Sequence, residues 1–198
     1  MNPFAAQAEY VDEHFKAVEC HGEQISNEFI DCLFSDCTFR EAIFKNCRFQ
    51  ECVISNCDLS LANVEGSSFS NTRFEKSRVV GVNWTLASWP KYPLRPPIHF
   101  DECVLDYSTF IGLSLHGIHI TGCRAKDVDF SDADLSEADF SKTDLSESRF
   151  GQTNLAKANF EDATNYTIDV HLNDISKARF SLPEAVSLLR SLDIILVE

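Results

Sequence analysis

The sequence predicts an all-β fold, a right-handed quadrilateral β-helix closed by a C-terminal helix. Three observations lead there. Residues 126–160 read KDVDF SDADL SEADF SKTDL SESRF GQTNL AKANF, with Phe and Leu alternating without a miss at every fifth position. The position two before each of these centres is small or β-branched: Val128, Ala133, Ala138, Thr143, Ser148, Thr153 and Ala158. The other three positions are mostly Asp, Glu, Ser, Lys or Asn. A period of five fits neither a strand, with a period of two, nor a helix, with 3.6. A backbone that turns a corner every five residues reconciles it, and four corners make a square coil of about 20 residues.

Residues 1–28 carry the period weakly, with Tyr10, Phe15 and Ile25 in phase, and are read as an N-terminal cap. A terminal coil exposes unpaired strand edges and is expected to be atypical. From Phe29 the period locks in through Phe34, Phe39, Phe44, Phe49, Ile54, Leu59, Val64, Phe69, Phe74, Val79, Trp84 and Trp89. It resumes one residue out of phase at Phe100, Leu105, Phe110, Leu115, Ile120 and Ala125, then runs to Phe160. Thirteen of the 16 Phe residues fall on these 26 centres, which makes the period a property of the whole chain. The organisation is therefore cap 1–28, first β-helical part 29–89, interruption 90–99, second part 100–180 and a C-terminal segment 181–198.

Seven of the eight cysteines, Cys32, Cys37, Cys47, Cys52, Cys57, Cys103 and Cys123, lie two residues before a centre; Cys20 does not. Their five-residue intervals follow the repeat and include no CxxC, so they read as buried thiols filling a narrow interior site rather than as zinc ligands or disulfides. His116 and His119 have HxxH spacing but flank Leu115 and Ile120 on outward positions, with no carboxylate or thiol arranged around them. No metal, no cofactor and no catalytic motif are expected, and the chain does not read as an enzyme.

The interruption, PKYPLRPP at 90–97, holds four of the six prolines. Proline cannot donate to a ladder, so the stretch leaves the coil surface or forms a corner. The centres jump eleven residues from Trp89 to Phe100 where two fives make ten. Two compatible readings follow: a bulge absorbing one residue, or a projecting loop carrying Lys91, Tyr92 and Arg95 toward a partner.

Charge is uneven. The net charge is −14. Residues 1–99 contribute −4, from 13 acids and 9 bases; residues 100–198 contribute −10, from 18 acids and 8 bases. Direct binding to nucleic acid or to anionic lipid is disfavoured. No run approaches 18 apolar residues, so no transmembrane helix is expected. The start has neither a basic nor an apolar signal region, and a cytoplasmic protein is the expectation. The densest acids are Asp127, Asp129, Asp132, Asp134, Glu137, Asp139, Asp144 and Glu147, all at outward positions. They read either as a solvated face that keeps a long β-protein soluble or as a partner-binding surface.

At the C-terminus, SLPEAVSLLRSLDIILVE opens as a capping box with Ser181 as N-cap and Glu184 at N3. Leu182, Ala185 or Val186, Leu189 and Leu192 form a helical apolar stripe, and Ile194, Ile195, Leu196 and Val197 read as a short strand. One helix could simply plug the last coil. The surplus apolar surface instead points to a two-fold homodimer through Leu182, Val186, Leu189, Leu192, Ile194 and Leu196.

SDADL, SEADF and AKANF lie close to the A(D/N)LXX consensus, and over roughly residues 27–180 the chain resembles the pentapeptide-repeat proteins. GVNWTLASWP at 81–90 and ARFSLPEAVSLLRSLDI at 178–194 are similar to the group that protects DNA gyrase, which includes the Qnr quinolone-resistance and the albicidin- and microcin-immunity proteins; the albicidin-resistance type looks nearest. The resemblance implies a right-handed quadrilateral β-helix, a homodimer through the C-terminal helix, and a rod that mimics duplex DNA toward gyrase and topoisomerase IV. Qnr proteins carry two projecting loops; this chain shows one interruption. A rod of about 8 coils at ~4.8 Å is ~40 Å long. Its charge is then about one per 3 Å, roughly half the density of duplex DNA.

Overall fold

A computed structural model describes residues 4, 7–90, 96–192 and 194–195. The chain is a parallel-sheet solenoid of about eight turns with four faces, as the period of five predicts. The first face stacks Tyr10, Phe29, Phe49 and Phe69 in register. The second stacks Phe15, Phe34, Ile54, Phe74, Phe100 and Ile120. The third runs Glu19–Thr38–Asp58–Arg78–Val104–Arg124–Asp144–Thr164 through single bridges. The fourth pairs Gln24 with Ile43 and, further along, links Asn83–Thr109–Asp129–Arg149.

Most corners share one mechanism. The residue two beyond a centre takes a positive φ, as at Asp127, Asp132, Glu137, Lys142, Glu147, Gln152 and Lys157, all between 53° and 61°. The amide after it often closes a turn onto the centre's carbonyl, as Ala138 N–H does to Leu135 at 3.1 Å. Short polar residues tolerate this left-handed conformation better than branched ones, which is why the outward positions are Asp, Glu, Asn, Lys and Gly.

Inside, like stacks on like. Twenty-five of the 26 sequence-assigned centres are buried, Trp89 being half-buried. Phe110, Phe130 and Phe150 stack at centroid distances of 5.3 and 5.2 Å; Phe140, Phe160 and Phe180 stack at 5.1 and 4.9 Å. The spacing follows from the ~4.8 Å rise between parallel strands, so the backbone ladder sets ring stacking without any local adjustment.

The structure departs from the sequence reading at both ends and at the interruption. The segment read as a cap is itself a coil: strands Glu9–Val11, His14–Lys16 and Gln24–Ile25 pair with partners 19 residues on, and Phe4 covers the open end against Tyr10, Phe15 and Phe29. Cys20 is the buried third centre of that coil. Across the interruption Phe74 pairs with Phe100, 26 residues away where the flanking coils are 20 apart, so six residues are extra rather than one. The six extra residues fall between Trp89 and Phe100, and the ladder continues past them, with Pro97 O accepting Thr72 N–H at 3.0 Å. Lys91, Tyr92 and Arg95 lie outside the described residues.

The capping box at 181–184 does not form. Ala185 N–H bonds the Ser181 carbonyl, while the Ser181 hydroxyl and the Glu184 carboxylate accept the amides of Asp162 at 3.0 Å and Asn165 at 2.7 Å in the preceding coil. The two side chains thus continue the coil-to-coil hydrogen bonding at Asp162 and Asn165 instead of capping their own helix. A short 3-10 helical segment, Glu184–Leu192, follows, and Leu188 packs on the core. Ile194 and Ile195 are not in a strand, and Leu196 lies outside the described residues.

Because each ring supports two neighbours, Phe130→Ala should cost about 3–5 kcal/mol in chemical denaturation. A loss below 1 kcal/mol would show that the coil ladder, not ring stacking, carries the core.

Candidate functional site

The acidic stretch is contiguous in sequence but not on the surface. Asp129, Asp134, Asp139 and Asp144 sit at the middle of four successive faces, each in its own ladder: Thr109–Asp129–Arg149, Ser114–Asp134–Asn154, His119–Asp139–Asn159 and Arg124–Asp144–Thr164. One turn of chain therefore carries acid around the rod as a collar, not as a single face. Asp127, Asp132, Glu137 and Glu147 project from the corners between.

Each mid-face Asp also closes its own turn. Oδ1 of Asp129, Asp134, Asp139 and Asp144 accepts the amide of Ser131, Ser136, Ser141 and Ser146 at 2.9–3.1 Å. Along the axis the neighbouring coil supplies a donor and never a second acid. Asn154 Nδ2 donates to Asp134, Asn159 Nδ2 to Asp139 and Asn165 Nδ2 to Asp144, at 2.8–2.9 Å. Arg149 takes both Asp129 and Asp127 at 2.9 Å. Burial alone would raise the Asp144 carboxyl, and the hydrogen bonds from Ser146 and Asn165 more than reverse it. At the corners Lys157 pairs with Glu137 at 2.6 Å and Lys126 with Glu147 at 3.3 Å; His116 faces Glu137 at 3.7 Å. Exposed pairs like these contribute little stability, but they cancel charge locally. No ion pair engages Asp132, Asp134, Asp139 or Asp144 among the described residues.

Arg124 makes a tighter pair. It spans Asp106 at 2.5–3.2 Å, and Asp106, 5 % exposed, also accepts the Lys126 amide at 3.1 Å. Truncating Arg124 would leave the buried Asp106 carboxylate without its cation, whereas the Arg124 head is itself solvent-exposed.

The interior cysteines do more than fill space. On the third face Cys37, Cys57, Ser77, Cys103, Cys123 and Thr143 form one column. Each amide donates to the side chain of the next coil: Cys37 to Cys57 Sγ, Cys57 to Ser77 Oγ, Ser77 to Cys103 Sγ, Cys103 to Cys123 Sγ and Cys123 to Thr143 Oγ1, at 3.0–3.4 Å. Thr143 Oγ1 and Ser77 Oγ donate back to the carbonyls of Ile120 and Ile54. Cys, Ser and Thr share this position because it needs a small group that both accepts and donates. The interchange of these residue types was the available signal. All eight cysteines are free and buried. Among the described residues no three His, Cys, Asp or Glu side chains converge on a metal site, and no helix is long and apolar enough to cross a membrane.

At the C-terminal end Leu182 and Ile195 are 80 % and 91 % exposed, and Val186, Leu192 and Ile194 are exposed beside them; Leu189 is half-buried. The end segment thus both plugs the last coil and leaves an apolar surface outward.

Residues 26–110 match the pentapeptide repeat region family, and residues 114–152 and 133–164 match the family of pentapeptide repeats in eight copies. No curated protein sequence matches significantly. Among solved structures, a trypsin-treated form of QnrB1, a plasmid-mediated fluoroquinolone resistance protein, aligns with TM-score 0.71 and 20% identity over 97% of this chain and 98% of that one. Full-length QnrB1 aligns at 0.53 and 20% over 94% and 100%. HetL from the cyanobacterium Nostoc, involved in heterocyst differentiation regulation, aligns at 0.61 and 15% over 85% of each. At these identities the likeness concerns the fold.

Burial pushes the Cys47 and Cys52 thiols up to about 11 from 9.0. A thiol whose folded pKa is raised gives full stability below pH 9 and loses it as pH climbs toward 11, by up to about 1.4 kcal/mol per thiol per pH unit. Denaturation midpoints should fall over that window, and Cys47→Ser, which mimics Ser67 one coil on, should flatten the slope. An equal slope in the Ser variant would remove Cys47 as its source.

Proposed function

As the chain belongs to the pentapeptide-repeat family, we propose that it is a non-catalytic protein ligand of DNA gyrase, and of topoisomerase IV, that presents a DNA-like acidic rod and relieves topoisomerase poisons of the quinolone or albicidin class. The collar carries this reading. Duplex DNA is anionic on every side, and the winding of residues 127–147 turns acid toward all four faces of the rod. A single acidic face would serve solubility equally well; a collar matches a saddle built to surround a helix. The likeness to QnrB1 supports the same reading at the level of the fold. We propose the cytoplasm as its compartment and the exposed C-terminal apolar surface as the seam of a homodimer.

The pairing of acids with Arg149, Lys157 and Lys126 favours a second reading, a scaffolding solenoid whose charge serves only solubility. Asn separates the two, because it keeps the turn-closing acceptor and removes the charge. Asp132, Asp134, Asp139 and Asp144 changed together to Asn should leave the melting temperature within a few degrees. Gyrase binding should weaken at least tenfold, and so should protection of supercoiling against a poison. Full protection by that variant would leave the scaffold reading.

The dimer has its own test. Leu182→Asp with Val186→Asp should convert a dimer to a monomer in light scattering after size exclusion. A wild-type protein that is already monomeric at micromolar concentration would exclude the seam.

A further inference from the structure

Two corners on one edge of the fourth face break the rule that the other left-handed corners follow. The described residues include 24 non-glycine positions of positive φ; their side chains are polar or small except at Leu61, φ 60°, and Tyr107, φ 62°. Both belong to the edge leading into the fourth face, where bulky side chains strain a left-handed backbone. Both project into solvent, at 55 % and 59 % exposure. Gly81 stands between them, and a Cβ there would lie 2.8 Å from Leu61 Cδ2, so the leucine leans across the glycine toward the tyrosine's coil. The edge leaving the same face exposes Leu86 and Ile111 over the same coils. Between the edges the bridged positions are the neutral Asn63, Asn83 and Thr109, and the exposed Glu65, in the Leu61 coil, is the acid beside them.

The patch runs directly into the collar. Tyr107 N–H bonds the carbonyl of Lys126, which sets Asp127 next on that edge; Gly112 N–H bonds that of Ser131, which sets Asp132 next on the other; Thr109 is bridged to Asp129. One face therefore changes from apolar to acidic along the axis. Neither solubility nor coil closure calls for Leu or Tyr at these corners: polar residues close the other corners without strain, and exposed apolar clusters favour association.

We infer that Leu61, Tyr107, Leu86 and Ile111 form a docking patch for the same topoisomerase that receives the collar, meeting an apolar protein surface with basic groups on its C-terminal-coil side. This rests on the reading given under the proposed function, and continuity with the collar is what commits the patch to that partner. Aromatic and aliphatic anchors beside a charged rim are the usual anatomy of binding energy at interfaces.

The test compares Leu61→Asn with Tyr107→Asn in one chain, Leu33→Asn as an exposed apolar control on the second face, and wild type. Affinity for gyrase is measured by surface plasmon resonance and folding by thermal melting. Asn tolerates the left-handed backbone, so the double variant should melt at the wild-type temperature or above it and bind gyrase at least tenfold more weakly. The Leu33 control should bind as wild type. A double variant within twofold of wild type overturns the patch and leaves the collar reading standing. Equal weakening by the Leu33 control overturns it too, since any exposed apolar residue would then do the same. A wild-type protein that does not bind gyrase removes the functional reading and this inference with it.

Discussion

The parallel ladder between coils constrains everything else in this molecule. Each coil must return to the same edge after the same path, because its amides donate to carbonyls of the coils on either side, as Asp139 N–H does to Ile118 in the coil before and Phe140 N–H does to Asn159 in the coil after. Any residue that does not fit this path must leave the coil. The chain meets the requirement in two ways. Six extra residues lie between the first and second faces at the proline-rich stretch, and one residue fewer separates the first coil from the second. At the far end, where there is no next coil, the side chains of Ser181 and Glu184 stand in for its carbonyls.

A ladder that stacks residue on residue at ~4.8 Å is favourable for rings and thiols and unfavourable for like charges. The surface shows how the conflict is resolved. Every mid-face acid of the collar has Asn, Arg, Thr, Ser or His as its axial neighbours, never another acid. Asn is the neutral twin of Asp: its Oδ1 closes the same turn, as at Asn154 and Asn159, while its Nδ2 reaches back to the acid in the coil before. The collar can thus be acidic around its circumference while its mid-face ladders hold no stacked acids; at one corner Asp127 does lie over Glu147, and Arg149 and Lys126 pair with them. Hydrogen bonds from Ser131 and Arg149 to Asp129, and from Ser146 and Asn165 to Asp144, pull these two carboxyls below their usual range against partial burial.

The interior was legible from sequence because one rule governs it: a large centre, a small residue two before it, repeated. The rest was not, for specific reasons. The phase of a five-residue pattern counts insertions only modulo five. One extra residue and six leave the same signature between Trp89 and Phe100, and only the pairing of Phe74 with Phe100 decides. The first coil was blurred because the step from Ile25 to Phe29 is four residues. Ser181 and Glu184 have helix-cap spacing, but the strength of a competing acceptor site in the preceding coil is not written locally. The acidic stretch misled most. Adjacent repeats look like one patch in a line of text, and a square coil sends them in four directions.

That geometry bears on how such a rod could recognise anything. A collar with charge on all sides attracts a basic saddle from a distance, yet it is nearly symmetric about the axis and does little to fix the rotation or the depth of docking. The repeat supplies no further information, since its inward residues are dictated by packing; QnrB1 and HetL share the fold at 20% and 15% identity while their described roles differ. Orientation must come from positions where the chain departs from its own rule. Two departures stand in the middle coils. One is the six-residue insertion that falls in the sequence between Trp89 on the first face and Phe100 on the second. The other is the pair of bulky left-handed residues at the edge of the fourth face, across the rod from the second. They lie on different sides of the rod. A partner contacting both would have to enclose it, whereas a partner contacting one could approach from a single side. Since a collar is informative only to a partner that encloses it, the acidic turn and the two departures make a consistent set for a surrounding saddle.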